Sequence, residues 1–200
     1  MKRLHAISQK IVKPVNCALA FGIPASKERF LERQLADDAN FPRRFTGWGQ
    51  YHHQVAGNME KLNPILAQWG VTVINHLKLD EFASLFSRND LYVIILFSHF
   101  TRNSIEFDDG MACLPAIIEK IPSGFGGILD LCVCHPEELT KKLRKERPHC
   151  LVKYTHSTAT PYIWLYFYLA LFKYLHDHEA TYLEGLERII YEFLNPNNRK

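Results

Sequence analysis

Two residues able to do covalent chemistry close apolar runs in this chain. His99 follows Ile94-Ile-Leu-Phe-Ser98, and Cys134 follows Leu129-Asp-Leu-Cys-Val133 immediately before His135-Pro136. If the two runs are neighbouring parallel strands, their carboxyl ends lie side by side, and an imidazole meets a thiol despite the sequence between them. The positive potential of a helix N-terminus, expected from Pro136 onward, favours the thiolate, which is the attacking form. Histidine then serves as base toward the thiol and as acid toward a leaving amine. Backbone amides at the two strand ends, including those of Phe100 and Cys134, can supply an oxyanion hole. This chemistry requires no third carboxylate, and the sequence assigns none.

The same residues admit other readings. Cysteine is among the most buried residue types, and a histidine at a strand end can be a hydrogen-bonded cap without chemical duty. Cys132 and Cys134 point to one side of a strand by its two-residue period, so either can be the nucleophile; Cys134 is favoured because it stands at the strand end. Cys132-x-Cys134-His135 together with His99 offers zinc ligands, although C-x-C within a strand departs from the usual knuckle spacing. A redox pair is disfavoured for the same reason, because its familiar form is C-x-x-C at a helix start.

The elements that must position these residues follow from periodicity and turn signals. Val15 to Gly22 reads as a buried strand ended by Gly22-Ile-Pro24, and Ser26 to Ala39 as a helix with Ser26 at its N-cap. Residues 40–50 read as a glycine- and proline-bearing loop, and a helix is predicted from His52 to Trp69, with His52-His53 as a loop or helix-start feature able in principle to bind metal. Val71 to Asn75 is a predicted strand, Asp80 to Ser87 a short helix, and Leu91 to Phe97 the cleanest strand, apolar throughout. Asp109 to Lys120 is predicted helical, Pro122 to Gly127 a turn and Ile128 to Val133 a strand. Pro136 to Arg147 is predicted helical, Cys150 to Tyr154 a strand, and helices over 161–176 and 179–194 finish the chain. Continuously apolar strands separated by helices demand burial of both strand faces. The expected fold is therefore α/β, a three-layer sandwich with a mostly parallel central sheet and helices on both faces, formed by residues 1–200 as one domain.

Composition limits the partners. The chain has 200 residues, of which 47% are hydrophobic, enough for a substantial core. Its 24 basic and 21 acidic residues are too balanced for a nucleic-acid binder held by phosphate neutralisation. The basic run Lys141, Lys142, Arg144, Lys145 and Arg147 reads as a solvated helix face. Five cysteines, an odd number in a chain too long to need staples, argue against a disulfide framework and for the reducing cytoplasm. The longest apolar run, Tyr162 to Phe172, is about half of the ~20 residues of a membrane span; its aromatic stripe reads as core and interface. Glu106, Asp108 and Asp109, after the histidine strand, can line a pocket that prefers a basic substrate side chain.

In three places these residues resemble the caspase-like fold of clan CD cysteine peptidases, closest to the CHAT group. An apolar strand ends in Ser98-His99 at the position of that family's catalytic histidine. The strand Gly127-Ile-Leu-Asp-Leu-Cys-Val-Cys134 ends at the position of its cysteine. Downstream, Lys153-Tyr-Thr155 is followed by Trp164 to Tyr174 and Leu186-Glu-Arg-Ile-Ile190, similar to the closing helices of CHAT domains. The resemblance spans roughly residues 71 to 194, with Val15 to Gly22 as the family's first strand. It implies a thiol protease with a His99/Cys134 dyad and no cofactor, cleaving a protein or peptide and answering to a regulatory protein partner, as many bacterial members do in defence or cell-death systems. Asp130-Leu-Cys132 also fits the family's acidic-residue-x-Cys pattern and keeps Cys132 as an alternative. The chain departs from the family in having Phe100 where glycine follows the histidine, and His135-Pro136 where a small polar residue and glycine follow the cysteine. A non-catalytic interaction domain on the same scaffold is the competing implication.

Overall fold

The computed structural model describes residues 2–35, 45–101, 103–154 and 161–194. The chain opens with α1 (Lys2–Ser8), a 3-10 turn (Pro14–Asn16) and strand β1 (Cys17–Phe21), followed by α2 (Lys27–Leu35). A longer helical stretch comprises α3 (Trp48–Tyr51), a π-helical turn (His52–Ala56) and α4 (Gly57–Gln68), and leads into β2 (Thr72–Ile74), α5 (Leu79–Leu85) and β3 (Val93–Phe97). Then come three short strands, β4 (Phe100–Thr101), β5 (Ser104–Phe107) and β6 (Gly110–Cys113), and α6 (Leu114–Lys120). Strand β7 (Ile128–Cys132), α7 (Glu137–Glu146), β8 (Leu151–Tyr154), α8 (Pro161–Asp177) and α9 (Tyr182–Leu194) complete the order.

The main sheet runs β2-β1-β3-β7-β8, and every pairing in it is parallel. All five residues of β1, of β3 and of β7 are buried, which is why these strands, Asp130 of β7 apart, read as continuous apolar runs rather than alternating ones. The two-residue period divides their side chains between two cores. Leu19, Ile95, Phe97 and Ile128 pack with Leu62 and Leu66 of α4, Leu171 and Phe172 of α8 and Leu186 of α9. Ala20, Ile94, Leu96, Leu129 and Leu131 pack with Phe82 of α5, Ile117 of α6 and Leu139 of α7. Helices therefore cover both faces of a parallel sheet, the expected three-layer α/β sandwich.

Three local expectations need correction. The helix predicted from Asp109 begins only at Leu114, because Gly110–Cys113 pairs antiparallel with β5 in a separate three-stranded sheet, β4-β5-β6. The predicted loop over 40–50 is helical from Trp48; its part over 40–44 lies outside the described residues, as does the 36–39 end of the helix expected after Ser26. His52 and His53 stand inside continuous helical structure rather than in a loop or at a helix start. The Ser26 cap is observed, its hydroxyl accepting the Arg29 amide at 3.3 Å.

One polar residue sits deep between the sheet and the closing helices. Asp130 on β7 is 3% exposed, and one of its carboxylate oxygens accepts Tyr182 Oη at 2.7 Å and Tyr168 Oη at 3.2 Å, pinning α9 and α8 to the same strand. Burial pushes its pKa upward, against the lowering effect of the two tyrosines. Between the unfolded and the raised folded pKa, the folded protein therefore binds more protons at this site than the unfolded chain does. Stability from this site is fully present below the unfolded carboxyl pKa of about 3.9 and is lost as pH rises through the raised folded value. Thermal melting of Asp130→Asn against the parent should show the variant gaining relative to the parent as pH increases. Parallel curves would mean that Asp130 does not titrate on unfolding.

Candidate active site

In a sheet of this order the strand sequence reverses between β1 and β3, and groups at the carboxyl ends of strands converge there. His99 leaves β3 at that edge, and Cys134 leaves the adjoining β7. Phe97 pairs with Cys132 in the parallel register, and the Ser98 amide donates to the Cys132 carbonyl at 3.1 Å. Two residues onward along each chain stand His99 and Cys134, at the same step beyond strands about 4.8 Å apart. Phe97 and Cys132 face the core under α8, whereas Val133 belongs to the core beneath α7, and the chain bends over residues 133–135. Both His99 and Cys134 are half-buried.

The two cysteines differ in what their surroundings permit. Cys132 is buried, and burial, reinforced by the nearby Asp130 carboxylate, drives its thiol pKa far above the ordinary value. A thiol held protonated in this way is a poor nucleophile, whereas Cys134 reaches partial exposure just before α7. Cys132→Ala should leave any cleavage activity within a few-fold of the parent, at a modest cost in core packing. Loss of activity in a variant that stays folded, read by peptide hydrolysis beside circular dichroism, would transfer the nucleophile's role to Cys132.

The link from Cys134 to α7 is tight. His135 adopts φ 49°, the left-handed region that side chains other than glycine rarely enter, and Pro136 is the helix N-cap. Proline has no N–H, so the amide donors nearest the thiol on this segment are those of Cys134 and His135. Among the described residues no three histidine, cysteine or acidic side chains come close enough to hold a metal ion, so Cys132, Cys134 and His135 do not assemble the zinc site considered above.

The acidic residues after the histidine strand are engaged by the protein itself. Asp108 pairs with Arg29 Nε at 3.1 Å and lies 3.3 Å from His76 Nδ1, while Asp109 accepts the Leu79 amide at 3.2 Å. Glu106, 2% exposed, meets Arg33 Nε at 3.4 Å. Their carboxylates are committed to α2 and to the α5 entrance, and the expected preference for a basic substrate side chain loses its basis. The Glu106 backbone contacts the histidine strand twice, its amide donating to the His99 carbonyl at 2.9 Å and its carbonyl accepting Ser98 Oγ at 2.5 Å. Gly22 makes room for this contact, since a Cβ there would lie 2.2 Å from the Glu106 carbonyl oxygen. Sequence reading missed the arrangement, because the ion pair joins residues from distant elements and leaves no local spacing.

A cleft of about 550 Å³ lined by His53, Gln54, Asn58, Lys61 and Tyr162 opens between the π-helical turn and the start of α8. Asn58 Nδ2 donates to the carbonyls of His53 and Gln54 at 3.1 and 3.2 Å, which steadies the wide turn. Comparison of the chain with protein-family models and with curated proteins finds no match. No helix among the described residues is long and apolar enough to cross a membrane.

Proposed function

We propose that this protein is a caspase-like cysteine endopeptidase, closest to the CHAT group, with Cys134 as nucleophile and His99 as acid and base. The observation that carries the reading is the β3–β7 register, which sets His99 and Cys134 at one step beyond adjoining parallel strands. In the proposed reaction His99 takes the thiol proton and the Cys134 thiolate attacks the scissile carbonyl carbon. The carbon–nitrogen bond then breaks as His99 returns the proton to the leaving amine, and water, deprotonated by His99, hydrolyses the thioester. The amides of Cys134 and His135 are suited to receive the developing oxyanion. The substrate is a protein or peptide, with a regulatory protein partner as the further expectation and nucleic acid disfavoured by the balanced charge. All five cysteines are free thiols, which suits the cytoplasm.

One observation favours the second reading, an interaction domain that has lost catalysis. His135 carries left-handed strain and is followed by a proline that cannot donate, a costly substitution pattern for an oxyanion loop. Incubation of the purified protein with a complex peptide mixture, with new peptide ends read by mass spectrometry, separates the two. Endopeptidase action yields new termini that vanish with Cys134→Ala, whereas identical end patterns for both proteins favour the interaction domain.

A further inference from the structure

We propose that Glu106, anchored by Arg33, is the positioning residue for His99; the part that concerns catalysis rests on the dyad reading above. His99 stands beyond the last ladder pair of β3, so the contacts that fix its backbone bear on where its imidazole can lie. Glu106 makes two such contacts, through its amide on the His99 carbonyl at 2.9 Å and its carbonyl on Ser98 Oγ at 2.5 Å. Two consecutive residues are thereby tied to one residue of β5, and the direction in which His99 leaves the strand is set.

The clamp must itself be held, because β4, β5 and β6 form a small sheet outside the main one. Arg33 supplies the anchor from α2. Its Nε lies 3.4 Å from the Glu106 carboxylate, and its Nη2 donates to the Phe107 carbonyl, so one guanidinium grips the side chain of Glu106 and the backbone next to it. Arg29, one turn earlier, repeats this grip on Asp108 by side chain and carbonyl. The Glu106 side chain is 3% exposed and that of Arg33 17%, so solvent screens the contact weakly. The buried carboxylate thereby joins α2 to the strand end that its backbone holds.

The test uses the full chain and two readouts. The first is the NMR signal of the His99 ring, assigned by its loss in His99→Ala. The second is the rate at which Cys134 is labelled by a peptide-based acyloxymethyl ketone, with circular dichroism beside it to show that each variant is folded. In Arg33→Leu the ring signal should shift and broaden and the peptide-probe rate should fall about tenfold or more while the circular dichroism spectrum keeps the parent's shape; Arg33→Lys should recover part of the loss. Ser98→Ala, which deletes half of the clamp without burying a lone charge, should move both readouts the same way and serves if Arg33→Leu does not fold. An unchanged ring signal in a folded Arg33→Leu or Ser98→Ala overturns the proposal. If peptide-probe labelling of the parent is indifferent to His99→Ala, the dyad reading fails instead, and the ring signal still decides whether Glu106 holds His99.

Discussion

Replacing Cys134 with alanine is expected to lower peptide cleavage by about 10³-fold or more while leaving the fold nearly unchanged. The magnitude follows from removing the atom that forms the acyl intermediate, for which no neighbouring group substitutes. Cys132, the nearest candidate, is buried with its thiol pKa pushed far up. The small effect on stability follows from position, since Cys134 is half-buried and stands beyond the last ladder pair of β7. Hydrolysis of a cleaved peptide identified from the mixture, measured beside thermal melting, checks both halves. Retained cleavage contradicts the assignment, and a melting temperature lowered by many degrees would make the loss uninterpretable as chemistry.

Replacing His99 with alanine is expected to cost about 10²- to 10⁴-fold in cleavage at neutral pH, the range for a positioned acid and base. Its signature differs from that of the first variant. Without His99 the thiol still attacks, but only as the fraction ionised by solvent, so residual activity should climb steadily toward the free-cysteine pKa of about 8.5. The parent should instead depend more shallowly on pH near neutrality. A pH–rate profile of His99→Ala parallel to that of the parent would show that the imidazole takes no part in the proton transfers.

Much of the frame was legible in the sequence because buried parallel strands advertise themselves. Ile94 to Phe97 and Ile128 to Leu131 are apolar at every position but Asp130, and the structure buries both faces of each strand. The end of each apolar run alone put Ser98-His99 and Cys134 at strand ends; the strands stop at Phe97 and at Cys132, so His99 and Cys134 each lie two residues beyond, and Cys132 rather than Val133 is the last residue of its strand. The small sheet was not legible: Gly110-Met-Ala-Cys113 is too short to display a two-residue period and runs straight into the helical Leu114–Lys120, so it merged with that helix. The π-helical turn around His52 was equally silent, since its neighbours are ordinary helix formers. Interactions between distant elements left no trace at all. Glu106 looked like a loop acid free to meet substrate, and only folding brings Arg33 of α2 onto it. Asp130 entered the sequence reading only as the acid of Asp130-Leu-Cys132, and only folding brings Tyr168 and Tyr182, from the two closing helices, onto one of its oxygens.

The central claim is that His99 activates Cys134, and covalent labelling tests it most directly. The purified protein is treated with a panel of peptide-based cysteine-protease probes, weighed intact and digested to map the modified residue. The dyad predicts one adduct, on Cys134, that disappears in His99→Ala while Cys132 stays unmodified in both proteins. No adduct across the panel, or labelling of Cys134 that is indifferent to His99, would contradict it and leave the sandwich as an interaction scaffold.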